Sequence, residues 1–175
     1  MITIQSLDST AFNGRLEEID RSEHVTLIYQ YKDGQLTTQT VDWQVPVWTP
    51  DELRHLHELF DPMLAAGATL LAALDGDQLA GLAILRYHLT PRMAQLAFLY
   101  VNQGYRRRGI ARRLTDEMIR RAKADGATEI YVSATPSGSA VGFYRGVGFE
   151  LAPPERIHPE LFALEPEDIH LIMRL

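Results

Sequence analysis

YRRRGIARR, residues 105–113, sets five arginines within nine positions of a 175-residue chain whose formal net charge is -6. The arginines flank Gly109, and the apolar run MAQLAFLYV (residues 93–101) ends just before them. Such a run is the pattern of a strand buried on both faces. From Gly109 onward the period changes. Ile110, Ala111, Leu114, Met118 and Ala122 recur at helical spacing, while Arg112, Arg113, Glu117, Arg120 and Arg121 fall on the other side. A strand that becomes a helix through a glycine leaves the first N–H groups of the helix without partners. Those groups, the helix dipole and nearby arginines form an anion site suited to phosphate, and glycine lets the ligand approach the backbone closely. Read from charge alone, the same residues also fit a solvated basic helix face.

Downstream, Gly126 ends the long helix, TEIYVSA (128–134) reads as a strand, and SAVGFYRGV (139–147) as a short helix closed by Gly148. EDIHLIMRL (167–175) is a final strand. Strand, helix, strand in this order predicts parallel pairing between residues 93–102 and 127–134. Upstream, ITIQSL (2–7) alternates like a strand, and residues 8–20 allow one or two helical turns. HVTLIYQY and QLTTQTVDW flank Lys32-Asp33-Gly34, a hairpin signal whose turn type stays open. Thr49 can cap a helix that starts near Pro50, carries Asp51 and Glu52 in its first turn and ends at Gly67. ATLLAAL and QLAGLAILRYH make a second hairpin around Asp75-Gly76-Asp77. The expected fold is a mixed α/β sheet in one domain.

Composition narrows the function. The chain is 46% hydrophobic and 23% charged, ordinary for a folded domain, with no uninterrupted apolar window of about 18 residues. Its start, MITIQSLDST, lacks the pattern of a signal peptide, so a cytoplasmic location is expected. Zero cysteines exclude disulfides, thiolate zinc sites and a cysteine nucleophile. A pI of 5.5 argues against general nucleic-acid binding and leaves cationic substrates open. Neither a Walker A sequence nor a Gly-x-Gly-x-x-Gly fingerprint is present.

RRRGIA (106–111) matches the Arg/Gln-x-x-Gly-x-Gly/Ala signature of the GNAT superfamily of acetyl-CoA-dependent N-acetyltransferases. SGSAVGFYRGVGF (137–149) resembles that family's Asn-x-x-Ala-x-x-Phe-Tyr-x-x-x-Gly-Phe motif. Ala140, Phe143, Tyr144, Gly148 and Phe149 match it, and Ser137 stands where asparagine is usual. The resemblance is strongest over residues 68–150. It implies a single domain over 1–175, a central mixed sheet splayed between two parallel strands and flanked by helices, and an acceptor side built by residues 1–67.

The same resemblance implies acetyl-CoA as co-substrate, without a metal. Arg106, Arg107, Arg108, Gly109, Ile110 and Ala111 would wrap its pyrophosphate, mainly through backbone amides. Leu99, Tyr100 and Val101 would lie along the pantetheine, with the Leu99 amide donating to the thioester carbonyl. Tyr144 would be the general acid for the departing sulfur, and Ser137 would touch the cofactor. The implied reaction is direct acetylation of a primary amine on a small molecule or protein, with no nucleic-acid or membrane partner and a homodimer possible. The alternatives are an acyl-CoA-binding sensor, transfer of another acyl group, or a small basic-helix binding module.

Gln95 stands where histone-acetylating members carry a glutamate, and a neutral amide cannot accept a proton. His88, Glu18, Asp20 and Glu23 are the replacement candidates. Without one, deprotonation is expected through water, with a pH profile that follows the amine's own pKa. HLHE (55–58) is expected to be surface, because i and i+2 do not face one another on a helix. Trp43, Trp48, Tyr29 and Tyr31 fit either an acceptor pocket or core packing. PPERIHPELFALEPED (153–168) reads as a loop or short helix near the cleft, or simply as a solvated loop.

Overall fold

The structure, a computed structural model, describes residues 1–175. In chain order the elements are β1 (Ile2–Leu7), α1 (Phe12–Arg15) between two 3-10 turns, β2 (Glu23–Lys32), β3 (Gln35–Val45), α2 (Pro50–Ala65), β4 (Thr69–Asp75) and β5 (Gln78–Thr90). There follow β6 (Met93–Val101), α3 (Ile110–Ala124), β7 (Glu129–Ala134), α4 (Gly138–Val147), β8 (Glu150–Leu151), α5 (Pro159–Leu164) and β9 (Ile169–Arg174). Seven strands form one sheet in the order β1-β4-β5-β6-β7-β9-β8, and β2 and β3 form a separate hairpin.

Local chemistry explains the boundaries. Asp33 and Gly34 both have positive φ, so the first hairpin closes through a two-residue turn of the primed kind that matches strand twist. Thr49 Oγ accepts from the Glu52 amide at 3.2 Å, and Glu52 returns a carboxylate to the Thr49 amide at 2.7 Å. This reciprocal cap, with Pro50 in the first turn, starts α2 where the sequence predicts.

The sheet is covered on both faces. Leu71, Leu85, Leu96, Ile110, Leu114, Met118, Val132 and Val141 pack together under α3 and α4. On the other face, under α1 and α2, Phe12, Phe60 and Phe98 meet edge to face with centroids 5.3 to 6.0 Å apart. A third, smaller group under α5 includes Met93, Tyr131, Leu161 and Ile172. No helix is long and apolar enough to cross a membrane.

Only β6 and β7 pair in parallel, and only through Met93 with Glu129, Ala94 with Ile130 and Gln95 with Tyr131. This is shorter than the range expected from the sequence. In the β5–β6 ladder Ile84 faces Phe98 and Leu85 faces Leu96, so Ala97 is an extra residue on β6. A bulge bends its strand and sharpens the twist. Past Gln95, β6 follows β5 away from β7, and a gap opens in the middle of the sheet.

Two stitches hold the N-terminal segments to this gap. The Tyr29 amide donates to the Pro136 carbonyl at 2.7 Å, which docks β2 on the start of α4. Asn102 donates to the Glu18 and Leu79 carbonyls at 2.8 and 3.0 Å and accepts from the Asp20 amide at 2.8 Å.

Candidate active site

The gap between β6 and β7 is the floor of a cleft of about 1160 Å³. In an antiparallel ladder, hydrogen-bonded and non-bonded pairs alternate. The Asn102 amide donates to the Ala80 carbonyl, so the pairs Val101–Gly81 and Leu99–Ala83 are the non-bonded ones. The amides of Leu99 and Val101 therefore point away from β5 into the gap.

Beyond β6 the chain makes a 3-10 turn (Gln103–Tyr105) and enters α3 through Gly109, whose φ is +76°. The first α-helical bond runs from the Arg113 amide to the Gly109 carbonyl. The amides of Ile110, Ala111 and Arg112 thus open the helix without helical partners, and all three residues line the cleft. Arg107 also has positive φ, +59°, a conformation that costs a non-glycine residue about 1–2 kcal/mol. A Cβ built on Gly109 would meet nothing within 4 Å. The space beside the glycine is open to a ligand.

Four of the five arginines are engaged elsewhere. Arg106 donates to the Val101 and Arg21 carbonyls at 3.3 and 2.9 Å. Arg108 lies over the Tyr105 ring at 5.1 Å, Arg112 binds Asp116, and Arg113 binds the Ile2 carbonyl. Arg107 is exposed, lines the cleft and enters no ion pair. Of the residues expected around a cofactor, only Arg108 does not line the cleft; Leu99, Tyr100, Val101, Arg106, Arg107, Gly109, Ile110, Ala111, Ser137 and Tyr144 all do. Ala111 accordingly faces the cleft and not the core, and Thr115 fills the buried helix position that the sequence reading passed over.

Tyr144 is buried on α4 and lines the cleft. Burial pushes its phenol above the ordinary value, with Tyr100 and Asp168 adding to the shift. The Ser137 hydroxyl caps α4, accepting from the Ala140 amide at 3.2 Å beside Ser139 Oγ at 3.1 Å. Its occupation as a cap explains why serine serves at this position.

The expected bases fare differently. His88 is well exposed, with its Nε2 3.0 Å from Asp125, and does not line the cleft. Glu18 pairs with Arg15 and lines a separate small pocket, and the Asp20 carboxylate accepts from the Ser22 amide. Glu23 lines the cleft, 3.9 Å from Arg106. Gln95 is buried on the cleft floor, with Arg86 3.5 Å from its side-chain oxygen.

A carboxylate outside the expected set does reach the cleft. Asp168 precedes β9, and its Oδ2 accepts from Ser133 Oγ at 2.9 Å. Burial pushes its carboxyl up to about 6, Ser133 opposes this, and Glu165 adds to it. The only sequence signal was its place between an acidic, proline-rich segment and the last apolar run. That segment does reach the cleft, through Leu161, Leu164, Glu165, Glu167 and Asp168.

The expected aromatic group divides. Trp48 is buried in the cleft wall, 4.8 Å from Tyr100 and with Arg21 5.3 Å over its ring. Trp43 is exposed, and Tyr29 and Tyr31 pack on the α3–α4 side of the core. In HLHE, His55 is exposed at the cleft, as expected of the motif, while His57 is half-buried. It is held between Glu17 at 3.1 Å and Asp61 at 3.3 Å, against the Phe12 ring. No group of three His, Asp or Glu side chains is arranged to hold a metal ion.

Residues 37–149 match the model of the acetyltransferase (GNAT) family, more than half of the chain. The chain belongs to this family. As a GNAT protein it is an acyltransferase, and its sheet, splayed between parallel β6 and β7, is the GNAT fold. It is similar to the crystal structure of nourseothricin acetyltransferase, with a TM-score of 0.71 and 19% identity, covering 98% of this chain and 96% of that one. It is similar also to the PaiA N-acetyltransferase of Thermoplasma acidophilum in complex with coenzyme A, with a TM-score of 0.67, 16% identity and coverage of 100% and 99%. A third similar structure is the ribosomal-protein-alanine N-acetyltransferase of Escherichia coli, with a TM-score of 0.61, 17% identity and coverage of 100% and 93%. No curated protein matches the chain by sequence at a significant level.

Proposed function

We propose that this GNAT enzyme transfers an acetyl group from acetyl-CoA directly to a primary amine. The observation that carries the reading is the gap between β6 and β7. Free Leu99 and Val101 amides line one edge, and the open N-terminus of α3 stands at its end. The residues fit the cofactor. The α3 amides and the unpaired Arg107 suit a pyrophosphate, the open space beside Gly109 admits it, and the strand edge suits an extended amide-bearing arm. When bound, acetyl-CoA supplies the activated thioester.

The remaining roles belong to the chain's own residues. The backbone amide of Leu99, which points into the gap, would donate to the thioester carbonyl as charge develops on it. Tyr144 stays protonated at neutral pH because burial disfavours its phenolate, so it can hold a proton for the departing sulfur. Leu99, Ala134 and Phe143 are among the apolar residues that line the cleft and limit water there. We read residues 1–175 as one domain in which residues 1–67 build the acceptor side, on the ground that Trp48, Leu56, Leu59, Phe60 and Met63 line that wall.

The test is a screen of amines for thiol release from acetyl-CoA, paired with a thermal-shift titration with CoA. Thiol release with an amine supports the reading. Stabilisation by CoA with no thiol release across the library would leave the acyl-CoA sensor.

A further inference from the structure

We propose that Asp168 receives the acceptor's ammonium group and takes its proton, which selects an amine that is charged in water and carries an apolar body. The inference rests on the amine-acetylation reading above and adds the base that Gln95 cannot be.

The first argument is an unpaired charge. Asp168 is half-buried, its one side-chain partner is the Ser133 hydroxyl, and no lysine, arginine or histidine pairs with it. A carboxylate drawn out of water without a cation costs stability. A chain keeps such a group where a ligand supplies the missing charge.

The second argument is position. Ser133 follows Tyr131 by two residues on β7, and Tyr131 is the register partner of Gln95. Asp168 therefore stands on the same face of the sheet as Gln95, at the point where β6 and β7 separate.

The third is the distribution of charge along the cleft. Arg106, Arg107 and Arg112 come from the start of α3 and the loop before it, with Glu23 3.9 Å from Arg106, whereas Glu165, Glu167 and Asp168 come from the segment before β9; Arg21, Asp51, Glu52 and His55 line the wall near α2. The cleft that holds the acidic segment is also lined by Trp48, Phe98, Tyr100, Leu161 and Leu164. That surface suits a cation followed by an apolar chain.

The groups around Asp168 are set for a base beside an acid. Tyr100 faces it from β6 and Tyr144 from α4, and burial raises both phenols. Ser133 and neutral Gln95 do not titrate, and His170 on β9, lowered by burial, is held by Tyr131 at 2.7 Å. Glu165 acts from Asp168's own segment, where Glu167 also lines the cleft. Arg21 on the acceptor wall is engaged by Glu52 at 2.8 Å, and Arg86 on β5 lies 3.5 Å from the Gln95 side-chain oxygen. Asp168 is thus ionised at neutral pH while Tyr144 keeps its proton.

The protons balance. The ammonium gives one proton to Asp168, and the nitrogen lone pair forms the N–C bond. The C–S bond breaks and the sulfur takes the Tyr144 proton. The nitrogen's second surplus proton restores Tyr144 through solvent, and Asp168 releases its own to water. The products are amide, free thiol and one proton.

The experiment compares wild type, Asp168→Asn, Asp168→Glu and Ser133→Ala on hexylamine, charged at pH 7, and aniline, neutral at pH 7. Asp168→Asn should lower kcat/KM for hexylamine at pH 7 by about a hundredfold or more. Its loss with aniline should be at least about tenfold smaller, with Asp168→Glu partly restoring hexylamine turnover. Wild-type kcat/KM for hexylamine should inflect near pH 6, whereas the aniline profile should stay flat there. Ser133→Ala, which removes the bond that favours the ionised form, should move that inflection upward. Calorimetric binding of hexylamine to the CoA-saturated protein should weaken about tenfold or more in Asp168→Asn.

Equal losses on both amines, or an inflection that persists in Asp168→Asn, would overturn the role of Asp168 and leave amine acetylation standing. If Asp168→Asn does not fold, an unmoved inflection in Ser133→Ala overturns it instead. A wild type that binds CoA yet releases thiol with no amine removes both readings.

Discussion

Replacing Gly109 by valine separates what the loop before α3 would contribute to CoA binding from what it contributes to folding. Gly109 holds φ at +76° and its Cβ position meets nothing within 4 Å. The folding penalty is then backbone strain alone, about 1–3 kcal/mol. For a domain of this size each kcal/mol lowers Tm by about 2–4 °C, so the variant should remain folded at room temperature. Binding suffers more, because the new side chain projects where a phosphate must approach the amides of Ile110 and Ala111. A hydrogen bond to a charged group contributes about 1.5–3 kcal/mol, so losing two weakens CoA more than about a hundredfold. In a thermal-shift assay, wild type at about a hundred times Kd gains ~2.7 kcal/mol, or roughly 5–10 °C. The valine variant should show almost none of this gain. Asparagine at the same position tolerates positive φ better, so it should recover most of the stability but little of the affinity. A valine variant that binds CoA within about threefold of wild type, measured by calorimetry, would refute the backbone cradle.

Three further outcomes are expected. Tyr144→Phe should lower kcat about a hundredfold or more while leaving CoA affinity nearly unchanged, because the proton matters only as the thiolate departs; full kcat under chemistry-limited conditions would make Tyr144 a packing residue. Ser137→Ala should cost about 1 kcal/mol of stability through the lost α4 cap, read as an earlier urea midpoint, with little change in CoA affinity. Around His57, burial alone would lower the imidazole, but the bonds to Glu17 and Asp61 outweigh it and hold the pKa above its ordinary value. The stability this contributes is complete below the unfolded value of 6.5 and is lost as pH rises through the folded one. Melting temperatures between pH 6 and 9 should therefore fall more steeply for wild type than for His57→Gln, and parallel curves would contradict the clamp.

The parts of the fold that were legible in the sequence are those set by local chemistry. The apolar run ending at Val101, the glycine and the amphipathic α3 are adjacent in the chain, and each follows from period or backbone freedom. Asp33-Gly34 and the Thr49 cap were readable for the same reason. What escaped depends on distant partners. Ala97 looks like any other apolar residue of its run, yet as the extra residue of a bulge it stands where β6 leaves β7. Asp168 lies 35 residues from Ser133 in sequence and acquires its character only when β7 and β9 pair. His88 had suitable chemistry but sits where β5 pairs irregularly with β6, bound to Asp125. Trp43 and Trp48 are five positions apart, and only the docking of α2 on the sheet separates an exposed ring from a cleft wall.

The stitch between residues 18–21 and 102–106 makes the two ends of the cleft mechanically one piece. Arg106 ties the loop before α3 to the Arg21 carbonyl, while the Arg21 guanidinium lies over Trp48 and holds Glu52 at the start of α2. The Gln103 amide adds a bond to the Asp20 carbonyl, 2.9 Å long. A ligand that shifted the loop would therefore be felt at the Trp48 wall through the same few bonds. Such coupling is reciprocal: whatever factor the first ligand adds to the affinity of the second, the second returns to the first. A strut that looks like simple bracing is thus also the physical link through which any such exchange would run.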